Sequence, residues 1–161
     1  MKICQEFAVE NREAIAGEII ARMGLALCVE NFFETIHNYI SFEDNIVRKG
    51  AISARKGEKV LIPMNMRDGC IIGIGKGNDE WNQSAPHGAG RIMSRMQAKE
   101  TLNIDDYKES MKDIYTTSVN EETIDEAPMV YKPMQEIIDC IGDTVEIVKI
   151  IKPIYNFKAS E

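Results

Sequence analysis

A change in hydrophobic pattern at residue 46 is the feature that most constrains the fold. From Ile46 to Lys76 the sequence consists of short apolar runs separated by glycine-containing pairs. Runs of this length between turn residues predict β-strands, because an extended chain crosses a sheet in a few residues. The predicted strand segments are Ile46-Val47, Ala51-Ile52, Val60-Leu61-Ile62 and Ile71-Ile72-Gly73-Ile74. The pair Lys49-Gly50 is predicted to separate the first two of them.

Helical periodicity precedes this region. Residues 2 to about 24 carry apolar side chains at multiples of four, and Gly24 is a suitable helix end. These apolar positions are Ile3, Phe7, Ile15, Ile19 and Met23. The next apolar stretch, from Leu25 to Ile40, has a mixed period, so its secondary structure stays open.

The second half of the chain is predicted to be mostly helical, with one further strand. A helix is expected after Gly90, and a second after Asn103, a good N-cap residue. Residues 116–132 are polar and acidic and are predicted to form a surface loop. Pro133 suits the start of a short helix, and the run Val145 to Ile151 predicts a strand that Pro153 ends. Together these patterns predict one α+β domain over residues 1–161.

Composition places the chain among globular proteins and limits how it could bind nucleic acid. Apolar residues make up 44% and charged residues 28%, and the net charge is −7. This acidity argues against broad phosphate neutralisation, although a local basic pocket can lie on an acidic body. The four cysteines are scattered, and neither a signal peptide nor a long apolar run is found. We therefore expect reduced thiols, a cytoplasmic location and no membrane association.

His87 is the strongest candidate for chemistry. It stands between Ser84-Ala85-Pro86 and Gly88-Ala89-Gly90-Arg91. Small neighbours leave an imidazole uncrowded and let phosphate groups approach backbone N–H groups, and a neutral imidazole can attack phosphorus. The alternative is a histidine in a tight turn whose glycines serve only the backbone. These residues taken alone favour that alternative.

Three other features are weaker. His37-Asn38 offers one imidazole for a metal, but a lone histidine on an apolar segment is more often structural. Gly75-Lys76-Gly77-Asn78 lacks the spacing of a phosphate-binding P-loop. Lys158 follows a predicted strand near the end of the sequence, where a lysine is usually only solvated.

Taken in order, these segments resemble the RNA-splicing ligase RtcB family, in its C-terminal portion. The resemblance covers essentially the whole chain, and the histidine motif with its Met-Ser-Arg continuation is highly specific. The matching segments are Arg48-Lys49-Gly50-Ala51-Ile52-Ser53-Ala54, Ile62-Pro63-Met64-Asn65-Met66-Arg67-Asp68-Gly69, Gly75-Lys76-Gly77-Asn78, Ser84-Ala85-Pro86-His87-Gly88-Ala89-Gly90-Arg91, Met93-Ser94-Arg95, Tyr115-Thr116-Thr117 and Pro153-Ile154-Tyr155-Asn156-Phe157-Lys158.

The resemblance implies a reaction and its cofactors. The family joins an RNA 3′-phosphate or 2′,3′-cyclic phosphate end to a 5′-hydroxyl end, using GTP and manganese. His87 matches the histidine that attacks the α-phosphate of GTP and carries GMP covalently. The resemblance also implies the C-terminal part of an RtcB-like fold, with mixed sheet pieces and flanking helices, and RNA ends as partners.

The resemblance further implies a set of binding residues. His37 matches a manganese ligand, and Arg91 with Arg95 would bind RNA phosphate because guanidinium groups pair with phosphate in a bidentate fork. The implied nucleotide contacts are His37, Asn38, Pro63, Met64, Asn65, Met66, Cys70, His87, Gly88, Ala89, Gly90 and Lys158. Two departures from the family pattern occur: Met64-Asn65 replaces a common Gly-Ser pair, and Cys70 replaces a serine.

The remaining metal ligands of the family lie upstream of the segment matched here. We therefore expect one metal ligand in this polypeptide and no competent ligase from it alone. It would be a split-gene half that pairs with a separately encoded N-terminal half, a truncated paralogue or a fragment. The alternative is a non-catalytic protein that binds nucleotide or RNA. An apolar face left exposed would also favour a homo-oligomer.

Overall fold

The computed structural model describes residues 1–25 and 32–158. Within these ranges the helices are α1 (Lys2–Arg22), α2 (Arg95–Thr101), α3 (Ile104–Ser110) and α4 (Met134–Ile141). The strands are β1 (His37–Ser41), β2 (Ile46–Ser53), β3 (Lys59–Pro63), β4 (Cys70–Gly75), β5 (Ser84–Pro86), β6 (Tyr115–Thr116), β7 (Val145–Ile151) and β8 (Tyr155–Asn156). Three single 3₁₀ turns span Asp79–Trp81, Ile124–Glu126 and Pro128–Val130.

The strands of the described residues form three small sheets. Two are antiparallel and three-stranded, in the orders β1-β2-β5 and β3-β4-β7. The third pairs β6 with β8 in parallel. Antiparallel sheets beside separate helices are an α+β arrangement, which confirms the predicted fold class.

The first hydrophobic core lies between the two larger sheets and α4. Alternate residues of β3 and β4 are fully buried, among them Val60, Ile62 and Ile71. The side chains of Ile137 and Ile141, one turn apart on α4, pack in the same cluster. Apolar alternation in the strands and apolar spacing in the helix therefore build one shared interior.

The second core corrects the prediction for residues 116–132. This segment is not a surface loop: Ile124, Ala127 and Val130 are buried and pack with Tyr107 of α3 and Ala98 of α2. Its buried apolar residues face inward, and its carboxylates Asp125 and Glu126 interact with arginine and lysine side chains, so the polar composition gave the wrong prediction. The two 3₁₀ turns in this irregular segment provide some of its backbone N–H and carbonyl groups with hydrogen-bond partners.

The helix expected directly after Gly90 begins later, at Arg95. Residues 90–92 instead bond to the segment before α4: the Ile92 N–H donates to the Val130 carbonyl at 2.8 Å. Ser94 is the N-cap, and its hydroxyl accepts from the Gln97 N–H at 3.1 Å. Residues 90–92 are therefore held by hydrogen bonds to a distant segment. No helix N-terminus lies at residues 90–94 to attract an anion beside His87.

Other elements lie close to their predicted positions. Asn103 caps α3, its side chain accepting from the Asp105 N–H at 2.7 Å. The strand at β7 and the helix after Pro133 are confirmed. The segments Ile46-Val47 and Ala51-Ile52 belong to a single strand, β2, so Lys49-Gly50 is not a turn between two strands.

The structure answers part of the question left by the mixed pattern from Leu25 to Ile40. Residues 26–31 lie outside the described residues, and β1 begins at His37.

Helix α1 is confirmed, yet its predicted apolar positions Ile3, Phe7, Ile15, Ile19 and Met23 are all exposed. Gln5 fixes the helix to β1 by exchanging two hydrogen bonds with the backbone of Ile40, at 2.9 and 3.1 Å. Among the residues the structure covers, no helix is both long enough and apolar enough to cross a membrane.

Candidate functional site

His87 follows β5 directly, and the pairing of β5 with β2 brings it beside Gly50. Ala51 of β2 pairs with Pro86, the residue before His87. The Nδ1 atom of His87 lies 2.7 Å from the carbonyl oxygen of Gly50. A carbonyl only accepts hydrogen bonds, so Nδ1 carries the hydrogen in this arrangement and Nε2 keeps its lone pair.

His37, at the start of β1, stacks on His87. The two ring centroids are 5.0 Å apart and the ring planes are inclined by 24°. Burial lowers the pKa of His37, and the neighbouring His87 and Arg12 lower it further. A lowered pKa favours the neutral imidazole, which is the form that ligates a transition metal.

The described residues do not form a complete manganese site. In residues 1–25 and 32–158, no group of three or more His, Cys, Asp or Glu side chains could hold a metal ion. A transition-metal site ordinarily needs at least three protein ligands. His37 fits the role of one ligand, and the remaining ligands are not supplied by this part of the chain.

A cavity of about 730 Å³ lies next to His87. Ten of the twelve expected nucleotide contacts line it: Pro63, Met64, Asn65, Met66, Cys70, His87, Gly88, Ala89, Gly90 and Lys158. The other two, His37 and Asn38, lie beside His87 and Gly50 instead, the Asn38 Oδ1 accepting from the Gly50 N–H at 2.8 Å. This volume suits a nucleotide-sized ligand.

The turn between β3 and β4 forms one wall of the cavity. Met64 and Met66 are 3% and 2% exposed, so they support this wall from within the two cores and offer a ligand little surface. Asn65 holds the turn through Asp68, its Nδ2 donating to the carboxylate at 2.8 Å. Burial raises the pKa of the Cys70 thiol, which therefore stays protonated and can still donate a hydrogen bond.

The histidine loop is joined to this wall by backbone contacts. The Ala89 N–H donates to the Pro63 carbonyl at 3.2 Å. A Cβ atom on Gly88 would come within 3.0 Å of the same carbonyl oxygen. Gly88 therefore allows a close approach that a larger residue would strain, and the contact aligns His87 with the turn.

Lys158 reaches the cavity through the pairing of β6 with β8. Its backbone N–H donates to the hydroxyl of buried Ser118 at 2.8 Å, and its Nζ donates to Glu126 at 3.1 Å. The lysine is thus held at both ends. A residue near the C-terminus that is usually only solvated is here part of the wall.

Glu126 and Tyr131 are lining residues that the sequence analysis missed. Glu126 accepts two hydrogen bonds here, one from the Tyr131 hydroxyl at 2.8 Å and one from Arg91 at 2.6 Å. Burial and the hydrogen bond to Glu126 raise the pKa of Tyr131 to about 12, so the hydroxyl stays protonated. Both residues belong to the segment predicted to be a surface loop, and no local pattern links Glu126 to Arg91 and Lys158, its partners from distant segments.

Arg91 and Arg95, expected to bind RNA phosphate, lie at the same edge of the cavity. Arg95 is 3.6 Å from buried Asp125 and 3.8 Å from Glu126. Arg91 stacks over the Tyr131 ring at 5.2 Å, and its buried Nη1 has no hydrogen-bond partner among the described residues. Both guanidinium groups therefore interact with carboxylates in the absence of any other anion.

The cavity is basic on an acidic protein. Its lining includes four cations, Arg91, Arg95, Lys152 and Lys158, and one carboxylate, Glu126. By contrast, Lys76 and Asn78 of the glycine-rich Gly75–Asn78 segment donate to the carbonyls of Gly142 and Asp143. The local basic pocket allowed by the composition is present, and the glycine-rich segment has a structural role.

Sequence comparison agrees with this arrangement. A family model described as "tRNA-splicing ligase RtcB" matches residues 1–159. The chain is 31% identical over 170 residues to an RNA-splicing ligase RtcB of Escherichia coli K12, covering 96% of the chain and 41% of that protein. It is 35% identical over 128 residues to RNA-splicing ligase RtcB1 of another Escherichia coli strain, covering 76% of the chain and 31% of that protein.

An archaeal relative, a tRNA-splicing ligase RtcB of Aeropyrum pernix, is 40% identical over 86 residues, which are 50% of the chain and 18% of that protein. The chain thus spans about two fifths or less of the length of these relatives. The family match itself runs over almost every residue of the chain, including the histidine loop, the β3–β4 turn and Lys158. The chain therefore belongs to the RtcB family of tRNA-splicing ligases.

Proposed function

We propose that this chain is the guanylate-accepting part of an RNA ligase that joins an RNA 3′-phosphate end to a 5′-hydroxyl end. Family membership supports the class of reaction. The observation that carries the proposal is the position of His87, which lines the basic cavity with Nδ1 held by a carbonyl and Nε2 available.

In the proposed first step, Nε2 of His87 attacks the α-phosphorus of GTP. The N–P bond forms with the imidazole lone pair, the bond from the α-phosphorus to the bridging oxygen breaks, and pyrophosphate leaves. The Gly50 carbonyl keeps accepting from Nδ1–H and so stabilises the positive charge that develops on the ring. Lys158 and Arg91 lie in the same wall, where they can bind phosphate or base oxygens.

Two transfers complete the proposed reaction. An oxygen of the RNA 3′-phosphate attacks the phosphorus of the bound GMP, and the bond to Nε2 breaks. The 5′-hydroxyl of the second RNA end then attacks the activated 3′-phosphate, losing its proton as GMP leaves. Arg91 and Arg95, at the rim of the cavity, would hold the RNA phosphate.

Manganese would neutralise phosphate charge in such a reaction, and His37 is the residue here that would bind it. Because the described residues offer one such ligand, we propose that the other ligands come from a second polypeptide or segment that carries the upstream family motifs.

The proposal is tested by incubating the chain with manganese and with GTP that carries radioactive phosphorus at the α-position. The incubation is done with and without an added N-terminal fragment of a full-length relative. We expect a covalent GMP adduct only with the fragment, and a loss of at least 100-fold in His87→Ala, on the order of the effect of removing a nucleophile. His37→Ala should also abolish labelling. A GMP adduct that persists in His87→Ala would contradict the assignment of the nucleophile.

A non-catalytic nucleotide-binding protein is the second candidate, and the single metal histidine near the cavity favours it. It predicts that GTP binds without any adduct, whether or not the fragment is added. Calorimetric titration of GTP beside the labelling assay distinguishes the two candidates, since binding without labelling supports the second.

A further inference from the structure

The register between β1 and β2 contains an irregularity at the point closest to His87. His37 pairs with Ile52 and Tyr39 pairs with Arg48, so one residue of β1 faces three residues of β2. The extra residues surround Gly50, which has a φ of +67°. Such a bulge redirects the backbone of a strand, and bulges of this kind occur next to active sites.

Asn38 is the residue of β1 that faces this bulge, and its side chain holds the bulge in shape. Its Oδ1 accepts from the Gly50 N–H at 2.8 Å, and its own φ is +59°, a backbone conformation that asparagine tolerates. The carbonyl of the same glycine then accepts from Nδ1 of His87 at 2.7 Å. Gly50 thus links the two side chains: its N–H bonds to the amide of Asn38, and its carbonyl bonds to the imidazole of His87.

We infer that Asn38 is a positioning residue that selects the tautomer of His87 through the Gly50 bulge. With the bulge in place, the carbonyl of Gly50 requires the hydrogen on Nδ1 and leaves Nε2 as the nucleophilic nitrogen. Without it, a neutral imidazole in water favours the opposite tautomer, with the hydrogen on Nε2. The inference deepens the proposed function, on which it rests only for the identity of the nucleophile.

The role is distinct from binding a ligand. The hydrogen bond from Nδ1–H of His87 to the Gly50 carbonyl favours one tautomer directly, and the hydrogen bond between Asn38 and the Gly50 N–H keeps that carbonyl in place. A Cβ atom on Gly50 would lie 3.7 Å from the ring of His87, an ordinary contact, so an alanine there would act through its left-handed backbone rather than through a clash.

The tautomer is measured directly by ¹⁵N NMR of the whole chain without nucleotide or metal, about two pH units above the ordinary histidine pKa of about 6.5. The chain has only two histidines, so the spectrum of a His87→Gln variant identifies the signals of His87 by their loss. We expect Nδ1 to be the protonated nitrogen in the wild-type protein. A protonated Nε2 there overturns the inference without recourse to any variant.

Two variants at position 38 separate the hydrogen bond from the backbone. Asn38→Gly accepts the positive φ but removes the acceptor, and should convert most of His87 to the Nε2–H form. Asn38→Asp keeps an acceptor oxygen and should retain the Nδ1–H form. The Gly50→Ala variant should resemble Asn38→Gly, because it displaces the carbonyl.

The amide spectrum of each variant reports whether the fold is kept. A native spectrum with an unchanged Nδ1–H population in Asn38→Gly contradicts the inference. None of these measurements requires a reaction with GTP. The expected tautomers together with a failure of GMP labelling would therefore refute the proposed function alone, and the opposite result would refute this inference alone.

Discussion

At the scale of single residues, Glu126 organises the basic side of the cavity. It accepts hydrogen bonds from Tyr131, Arg91 and Lys158, at 2.8, 2.6 and 3.1 Å. Burial alone would raise the pKa of its carboxyl group, but the hydrogen bonds from Tyr131 and Lys158 and the charges of Lys158 and Arg91 outweigh it and lower the pKa. The ionised form is therefore the one that stabilises this wall.

Glu126→Gln should make the stability of the protein less dependent on pH. A lowered pKa in the folded state means that the ionised carboxylate contributes stability above its unfolded pKa of about 4.3, and that this contribution is lost as the pH falls through the folded value. At pH 7 the substitution should cost about 2 kcal/mol, as for hydrogen bonds to a charged group. Urea unfolding at neutral and acidic pH measures both effects.

The matched control is Glu122→Gln, at an exposed position of the same segment. It should leave the free energy of unfolding within about 0.5 kcal/mol of the wild-type value at either pH. The assignment fails if the difference between Glu126→Gln and the wild type stays constant as the pH falls.

At the scale of elements, the β3–β4 turn depends on Gly69. Its φ is +86°, and a Cβ atom at this position would lie 2.0 Å from the carbonyl oxygen of Ile151 on β7. The turn and β7 therefore approach each other more closely than a side chain permits. This approach places Cys70 opposite Ile151 and brings Lys152 to the cavity.

Gly69→Ala should destabilise the fold by about 3 kcal/mol or more, because left-handed strain and a backbone clash add together. Gly57→Ala is the control: its φ is +81°, but nothing lies within 4 Å of the added atom. It should cost only the left-handed strain, about 1–2 kcal/mol. Equal losses for the two variants in urea unfolding would show that the approach to β7 is unimportant.

Helix α1 shows how far an element can be predicted without its surroundings. The spacing of Ile3, Phe7 and Ile15 indicated a helix, and the helix is present. The same spacing defines one apolar face of the helix, and these side chains are 80%, 68% and 52% exposed. Periodicity reports which face is apolar, and only the neighbouring elements decide whether that face is covered.

At the scale of the whole molecule, charge is distributed unevenly. The chain carries a net charge of −7, yet four cations line the cavity. Long-range attraction for nucleic acid should therefore be weak, and attraction for phosphate should be confined to the cavity. Under the proposed function, this separation favours recognition of phosphate groups at an RNA end over binding along an RNA backbone.

Under the proposed function, GTP binding should weaken by roughly tenfold when salt rises from about 0.05 M to about 0.5 M, because added ions screen the cavity cations. Lys152→Ala should weaken binding a few-fold at low salt and reduce this dependence, since Lys152 lines the cavity. Titration calorimetry at two salt concentrations measures the affinity for GTP and its salt dependence. Lys149→Ala, exposed on β7 outside the lining, is the control, and an equal effect of both variants would contradict the local origin of the attraction.

Local patterns were sufficient for most elements of the described chain. Glycine-separated apolar runs indicated the strands, and Asn103 and Pro133 marked the starts of α3 and α4, because caps and turns depend on a few adjacent residues. The motif around His87 indicated the candidate nucleophile and the family. These features are determined by the sequence, since their physical causes lie within a few residues.

The cavity itself was decided only by the tertiary structure. His87 meets Gly50 through the β2–β5 pairing, Lys158 reaches Glu126 beside the β6–β8 pairing, and the bulge opposite Asn38 exists only when β1 pairs with β2. Residues 116–132 were misassigned for the same reason. Burial of a carboxylate depends on cations far away in the sequence, and no local pattern reports which distant partners the fold will supply.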